Sequence, residues 1–202
     1  MLENLSTTQR ELLAYAARLV TEEGLDYGQA KRAALNDLKL PSNTRIPDND
    51  ALEWAIREHI EIFLAETQPA ELQRLREIAL TWMERLKEFN PFISGTVWHG
   101  LATRQSDIRL QLFCEDPKMA EIFLINNRVR YTTSTTQKPN GSLVTTLTVQ
   151  HPAPEWGQYI LIHITLNEYD DIRGTLKPDA QGRPPQGNLP ALQSLLESAN
   201  TR

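Results

Sequence analysis

Near Asn90 the apolar residues of this chain change their spacing, from one per helical turn to every second position. The first spacing builds helix stripes and the second builds strand faces. Helices gathered in one stretch and strands in the next point to an α+β fold.

Before the change, four helices are predicted. The first covers residues 8–23 and aligns Leu12, Leu13, Ala16, Leu19 and Val20, with Ser6 or Thr7 as N-cap and Gly24 as stop. The second, residues 28–38, turns Ala30, Ala34, Leu35 and Leu38 inward and ends before Pro41. Pro47 and Asp48 open the third, which runs through Leu52, Ala55, Ile56, Ile60 and Phe63 to about Glu66. The fourth, residues 69–89, buries Leu72, Leu75, Ile78, Ala79, Trp82 and Leu86.

After the change, residues 91–94 read as a short extended piece and 107–113 as a strand. That strand has Ile108, Leu110 and Leu112 on one face and Arg109, Gln111 and Phe113 on the other. Asp116 caps a helix over 117–126. Strands over 128–137 and 143–150 are joined around Pro139, Asn140 and Gly141. The nearly continuous apolar run 159–166 belongs in the middle of the sheet. Residues 170–188 are rich in Gly and Pro and read as a long surface loop, and 189–199 as a last helix. The expected organisation is a helical region, 1–66, docked on a sheet domain, 67–202.

A chain of 202 residues buries a core without disulfide or metal staples. Its one cysteine, Cys114, cannot close an internal disulfide, and no Cys/His zinc spacing occurs. No run of 18 apolar residues would cross a membrane, and the first ten residues lack a basic segment leading into an apolar stretch. A cytoplasmic protein without a membrane partner is expected. Residues 1–90 carry 11 Lys+Arg against 16 Asp+Glu, a net −5, and residues 91–202 carry 10 against 10. Neither half has the positive excess of a bulk nucleic-acid binder.

The segment with chemical content is Gly95-Thr-Val-Trp-His-Gly-Leu-Ala-Thr-Arg-Gln-Ser-Asp-Ile-Arg-Leu110. It resembles the signature of the nucleotidyltransferase superfamily, the fold of the minimal nucleotidyltransferases and DNA polymerase β. In that signature a Gly-Ser turn precedes a strand carrying Ser-Asp-hydrophobic-Asp. Gly95 and Thr96 fall at the turn, Gly100 at a second recurring glycine, and Ser106, Asp107, Ile108 and Leu110 on the strand. The resemblance implies a nucleotidyltransferase-like mixed sheet under the helical part. It also implies an anion site at Gly95, Thr96, Gly100 and Ser106, with Asp107 in the catalytic position. Two carboxylates on one strand face would hold Mg²⁺, and a third would activate the attacking hydroxyl.

The sequence departs from that pattern at Arg109, which stands where the second carboxylate belongs and cannot ligate a cation. Residues 143–150 and 159–166 contain no Asp or Glu, leaving His163 and Thr165 as the inward polar groups. The resemblance therefore implies a degenerate member. It would bind a nucleotide or other phosphorylated ligand through Gly95, Thr96, Gly100, Ser106, Arg109 and His163, without a metal cofactor. Two alternatives stand beside it. Glu115, Glu168, Asp170 or Asp171 would supply the missing Mg²⁺ ligands of an active transferase. Alternatively, the site is vestigial and the helical half binds a protein partner.

Each residue also has a plainer reading. Asp107 caps a turn; Arg109 pairs with Asp107 or Glu115; Gly95 and Thr96 form a tight turn. His99 and His163 are hydrogen-bonded core histidines rather than converging bases, and Trp98 is core rather than a base-stacking platform. Arg128, Arg130 and Lys138 form a small basic patch or a solvated sheet edge. Arg173, Lys177 and Arg183 sit on a loop long enough to be a lid. The segment from Gln29 to Arg32 is a solvated face.

Overall fold

The computed structural model describes residues 5–41, 43–137, 141–174, 182 and 184–200. The chain forms two compact units, residues 1–72 with 101–106, and residues 73–100 with 107–202. Seven α-helices and one six-stranded mixed sheet, counted over the described residues, make the fold α+β. None of the described helices is long and apolar enough to cross a membrane.

The first unit contains α1 (Thr7–Glu23), α2 (Tyr27–Asp37), α3 (Asn49–Phe63) and the first turn of α4 (Gln68–Arg85). Each of the first three starts on a side-chain cap. Ser6 Oγ accepts from the Gln9 N–H at 3.2 Å while the Gln9 side chain accepts from the Ser6 N–H at 3.0 Å. Asp26 and Gln29 repeat the arrangement on α2, and Asp48 caps α3. Third-helix residues Leu52 and Ile56 meet Leu12, Leu13 and Ala16 of α1 in a core that also takes in Leu101. Fully burying each of the larger side chains contributes about 2 kcal/mol.

Leu101 belongs there because residues 101–106 form part of this unit, not of the sheet domain that the sequence assigns them to. Thr103 Oγ1 donates to the Thr21 carbonyl at 2.7 Å, and Gln68 Nε2 donates to the Ala102 carbonyl at 2.9 Å. Gly24, the α1 C-cap at φ +71°, lies so close to this segment that an added Cβ would be 2.1 Å from the Gln105 carbonyl oxygen.

The second unit holds β1 (Pro91–Ser94), α5 (Gly95–His99), β2 (Ile108–Cys114), α6 (Pro117–Asn126), β3 (Tyr131–Gln137), β4 (Leu143–Ala153), β5 (Gln158–Glu168), β6 (Gln186–Asn188) and α7 (Leu189–Asn200). The strand order is β3-β4-β5-β2-β1-β6. Strands β2 and β5 are parallel and every other pairing is antiparallel. The apolar run 159–166 is central, as its composition requires. Ile108, Leu110 and Leu112 of β2 and Ile160, Ile162 and Ile164 of β5 are buried on one sheet face. The long helix α4 adds Leu75, Ile78, Ala79 and Met83 to the buried set of this unit, and Phe89 meets Phe123 of α6 edge-on at 5.6 Å.

Three boundaries differ from the sequence reading. The helix predicted to reach 89 stops at Arg85, and Lys87–Phe89 is a 3₁₀ turn closed by Asn90 at φ +45°. Strand β3 begins at Tyr131 rather than 128. The preceding residues complete the end of α6, with the Arg128 and Val129 N–H groups bonding back to the Ile125 and Leu124 carbonyls. Within the predicted 170–188 loop, Tyr169–Gly174 opens with a 3₁₀ turn and Gln186–Asn188 pairs with β1 as an edge strand. A three-residue strand centred on glycine has no alternation to betray it. The turn residues Pro139 and Asn140, and most of the proposed lid, lie outside the described residues.

Replacing Gly24 by Ala sets a side chain against backbone at a left-handed position. A loss of more than about 1 kcal/mol of stability is expected in urea unfolding, because both the conformation and the contact oppose Cβ. Burial holds the His59 and His151 imidazoles below their ordinary pKa, at His59 against the pull of Glu22. The unfolded chain therefore binds protons that the native state resists. Stability should be full above the unfolded value of about 6.5 and decline as the pH falls below it. Melting curves from pH 8 to 5 test this; a Tm that rises on acidification over that range contradicts it.

Candidate functional site

The sheet face opposite the apolar one carries polar side chains across its width. The registers place Ser94 beside Arg109, Arg109 beside His163, and His163 directly opposite Thr148. One step along the strands, Gln111 stands beside Thr165, and Thr165 opposite Thr146. Because side chains alternate between faces, these groups share one surface. They form a hydrogen-bonded row. Gln111 Nε2 donates to Ser94 Oγ at 3.4 Å, Asn167 Nδ2 donates to Gln111 Oε1 at 3.4 Å, and the Thr146 and Thr165 hydroxyls are 3.3 Å apart. Beyond them Phe92 meets Phe113 edge-on at 5.4 Å.

The chemically significant cluster lies at the start of β2. Asp107, the residue before that strand, places Oδ2 2.9 Å from His163 Nε2. The other ring nitrogen, Nδ1, is 3.0 Å from Thr148 Oγ1. The Asp107 and His163 side chains are 31% and 24% exposed, so solvent reaches both while neither is fully hydrated. An ionised Asp107 only accepts, so Nε2 carries the imidazole proton. In the neutral imidazole Nδ1 is then the acceptor, and the Thr148 hydroxyl donates to it. The three side chains form a directed chain from hydroxyl to carboxylate.

Arg109 does not close on Asp107 or on Glu115; the Asp107 carboxylate bonds the His163 ring instead. The Arg109 side chain is exposed, and its stem runs over Gly95, where an added Cβ would stand 3.3 Å from Arg109 Cδ. Gly95 has φ +73° and opens the five-residue helix α5, so the expected loop is one helical turn. Gly100 ends that helix in the left-handed conformation, with its N–H bonded to the Thr96 carbonyl.

Ser106 belongs to the first unit rather than to the one that carries the sheet. It is buried in the first unit, where its hydroxyl accepts from the Thr103 N–H at 3.0 Å. His99 closes α5, while the partners of His163 are Asp107 and Thr148, so the two histidines do not form a pair. Trp98 is a structural residue: its ring fills the space over Gly187, and its Nε1 donates to the Pro184 carbonyl at 2.8 Å. Arg128 and Arg130 are exposed at the approach to β3, whereas Lys138, Lys177 and Arg183 lie outside the described residues. The residue that sequence reasoning did not single out is Thr148. One threonine in a threonine-rich strand carries no signal until its register with His163 is known.

The donor set does not suit the magnesium ions that the resemblance implies. No group of three or more His, Cys, Asp and Glu side chains gathers at a common point among the described residues. The alternative carboxylates are remote from Asp107. Glu168 pairs with Cys114 at the far end of β2, Glu115 follows Cys114, and Asp170 and Asp171 follow Glu168. The length of β2 between them is about 20 Å, at about 3.3 Å per residue. The chain matches no protein-family model and no curated protein.

Buried Cys114 has a raised thiol pKa, first from burial and then from the nearby Asp116 charge. Alkylation by iodoacetamide at pH 8 is expected to be slow in the native protein and to become fast in urea. Rapid native labelling would show instead that this end of β2 opens readily.

Proposed function

We propose that this protein binds a nucleotide or another phosphorylated ligand on the polar sheet face, through Arg109 beside His163, without metal-dependent nucleotidyl transfer. The observation that carries the reading is the place of Arg109. It occupies the strand position where the resembling family has a metal-binding carboxylate. Its guanidinium is exposed, and it makes no salt bridge with Asp107 or Glu115. A planar guanidinium offers paired donors that match phosphate oxygens, and it supplies at a fixed point the positive charge that a cation would otherwise bring. Asp107 in this reading holds the His163 ring beside Arg109.

The nucleotidyltransferase resemblance itself rests on the segment from Gly95 to Leu110 and on the order of strand, glycine turn and strand. It favours a phosphate ligand over other anions without deciding the chemistry.

Titration of the purified chain with ATP, CTP, GTP, UTP and inorganic phosphate, with and without Mg²⁺, tests the proposal. Saturable binding of at least one is expected, unchanged or weakened by Mg²⁺ and weakened by added salt. Arg109→Gln should reduce the affinity at least tenfold, the size of one charged hydrogen bond of about 1.5–3 kcal/mol. Absence of binding at millimolar ligand, or binding that requires Mg²⁺, rejects it.

A further inference from the structure

We infer that Thr148 is a nucleophile, activated by His163 as general base and with Asp107 as the residue that positions the imidazole. Three features carry this assignment. The hydroxyl and the imidazole are at hydrogen-bonding distance, 3.0 Å, and the imidazole is held on its other nitrogen by a carboxylate at 2.9 Å. The direction of the chain follows from valence: a carboxylate on Nε2 fixes the proton there and leaves the Nδ1 lone pair for the Thr148 proton. Thr148 and His163 also stand directly opposite each other on the paired strands β4 and β5, so their separation is fixed by strand pairing, and Asp107 immediately precedes β2, whose first residue pairs with Ile162 of β5. A hydroxyl bonded to a base that is itself oriented by a third group is the general signature of an activated nucleophile.

The substrate class, though not the nucleophile, rests on the phosphate reading above. With an arginine in place of a metal ligand, the donor best suited to this face is an acyl phosphate, whose carbonyl carbon accepts a hydroxyl without metal assistance. Thr148 Oγ1 attacks that carbon, and its proton passes to His163 Nδ1. A C–O bond forms to Thr148, the C–O bond to phosphate breaks, and inorganic phosphate leaves against Arg109, taking the proton from the imidazolium and restoring the neutral imidazole. The acyl-threonine ester is then cleaved by water. The imidazole takes one water proton, the Thr148 oxygen leaves and recovers a proton from the imidazolium, and a carboxylic acid is released. Nothing is oxidised or reduced.

The test treats the full chain with acetyl phosphate and, separately, with p-nitrophenyl acetate, and maps hydroxylamine-labile acetyl esters by peptide mass spectrometry. An ester at Thr148 is expected. It should be absent in Thr148→Val and recovered in Thr148→Ser, which restores the hydroxyl. Asp107→Asn keeps a hydrogen-bonding side chain of the same shape, but its amide donates to Nε2 and moves the imidazole proton to Nδ1. Ester formation should then fall at least a hundredfold, within the range contributed by general base catalysis. The imidazole ¹⁵N shifts of the folded variant should report the exchanged tautomer. Arg109→Gln should shift the ratio of the two labelling rates at least tenfold towards p-nitrophenyl acetate. No ester at Thr148 with either donor overturns the assignment, and so does undiminished labelling in Asp107→Asn. An ester from p-nitrophenyl acetate alone upholds the nucleophile and overturns the acyl phosphate as its donor, while the ligand titration above decides the phosphate reading separately.

Discussion

The parallel pairing of β2 with β5 is the constraint on which the site depends. It sets Arg109 beside His163 and brings the Asp107 carboxylate, just ahead of β2, onto the imidazole. The antiparallel pairing of β4 on the other side of β5 then sets Thr148 opposite the same ring. A slip of one residue would exchange the faces, turning His163 into the apolar layer and Ile162 or Ile164 out of it. Six buried aliphatic side chains on β2 and β5 oppose that slip: Ile108, Leu110, Leu112, Ile160, Ile162 and Ile164. A slip of β5 exposes its three, at about 2 kcal/mol each a cost of about 6 kcal/mol, comparable to the whole stability of a marginal domain. The polar face is therefore held in place by the apolar one behind it.

The same logic accounts for what could be read from the sequence. Helix α6 was legible to the residue because Asp116 and Pro117 mark its start and its apolar content is dense. The central position of β5 followed from its nearly continuous apolar run over 159–166. The edge strand Gln186–Asn188 was not legible, because its three residues include a glycine and it is defined by its partner. Residues 101–106 were assigned to the wrong unit. Leu101 and Ala102 are apolar enough to suggest burial, but nothing local says which core receives them, and the bonds that decide it join Thr103 to Thr21 and Ala102 to Gln68.

The site was legible in part for a similar reason. Asp107, Arg109 and His163 are conspicuous as residue types, and strand alternation puts Arg109 on a chosen face. Pairing is another matter. Asp107 and Arg109 are two residues apart, and the sequence suggests that they meet; the carboxylate instead reaches a ring 56 residues along the chain. Such a partnership is a property of strand order, and strand order here includes a parallel crossover that no local signal fixes. Thr148 is the extreme case, a residue whose significance lies entirely in what stands across from it.

What an arginine does to a site of this shape can be argued from charge alone. A carboxylate at position 109 would leave the face with two like charges close together, a state that calls for a cation. A guanidinium there makes the charges of positions 107 and 109 opposite, so this pair does not gather a divalent cation as two carboxylates would. Asp107 is then available to a neutral donor, and the imidazole of His163 takes it. The Thr148–His163–Asp107 geometry allows proton transfer between side chains on this face.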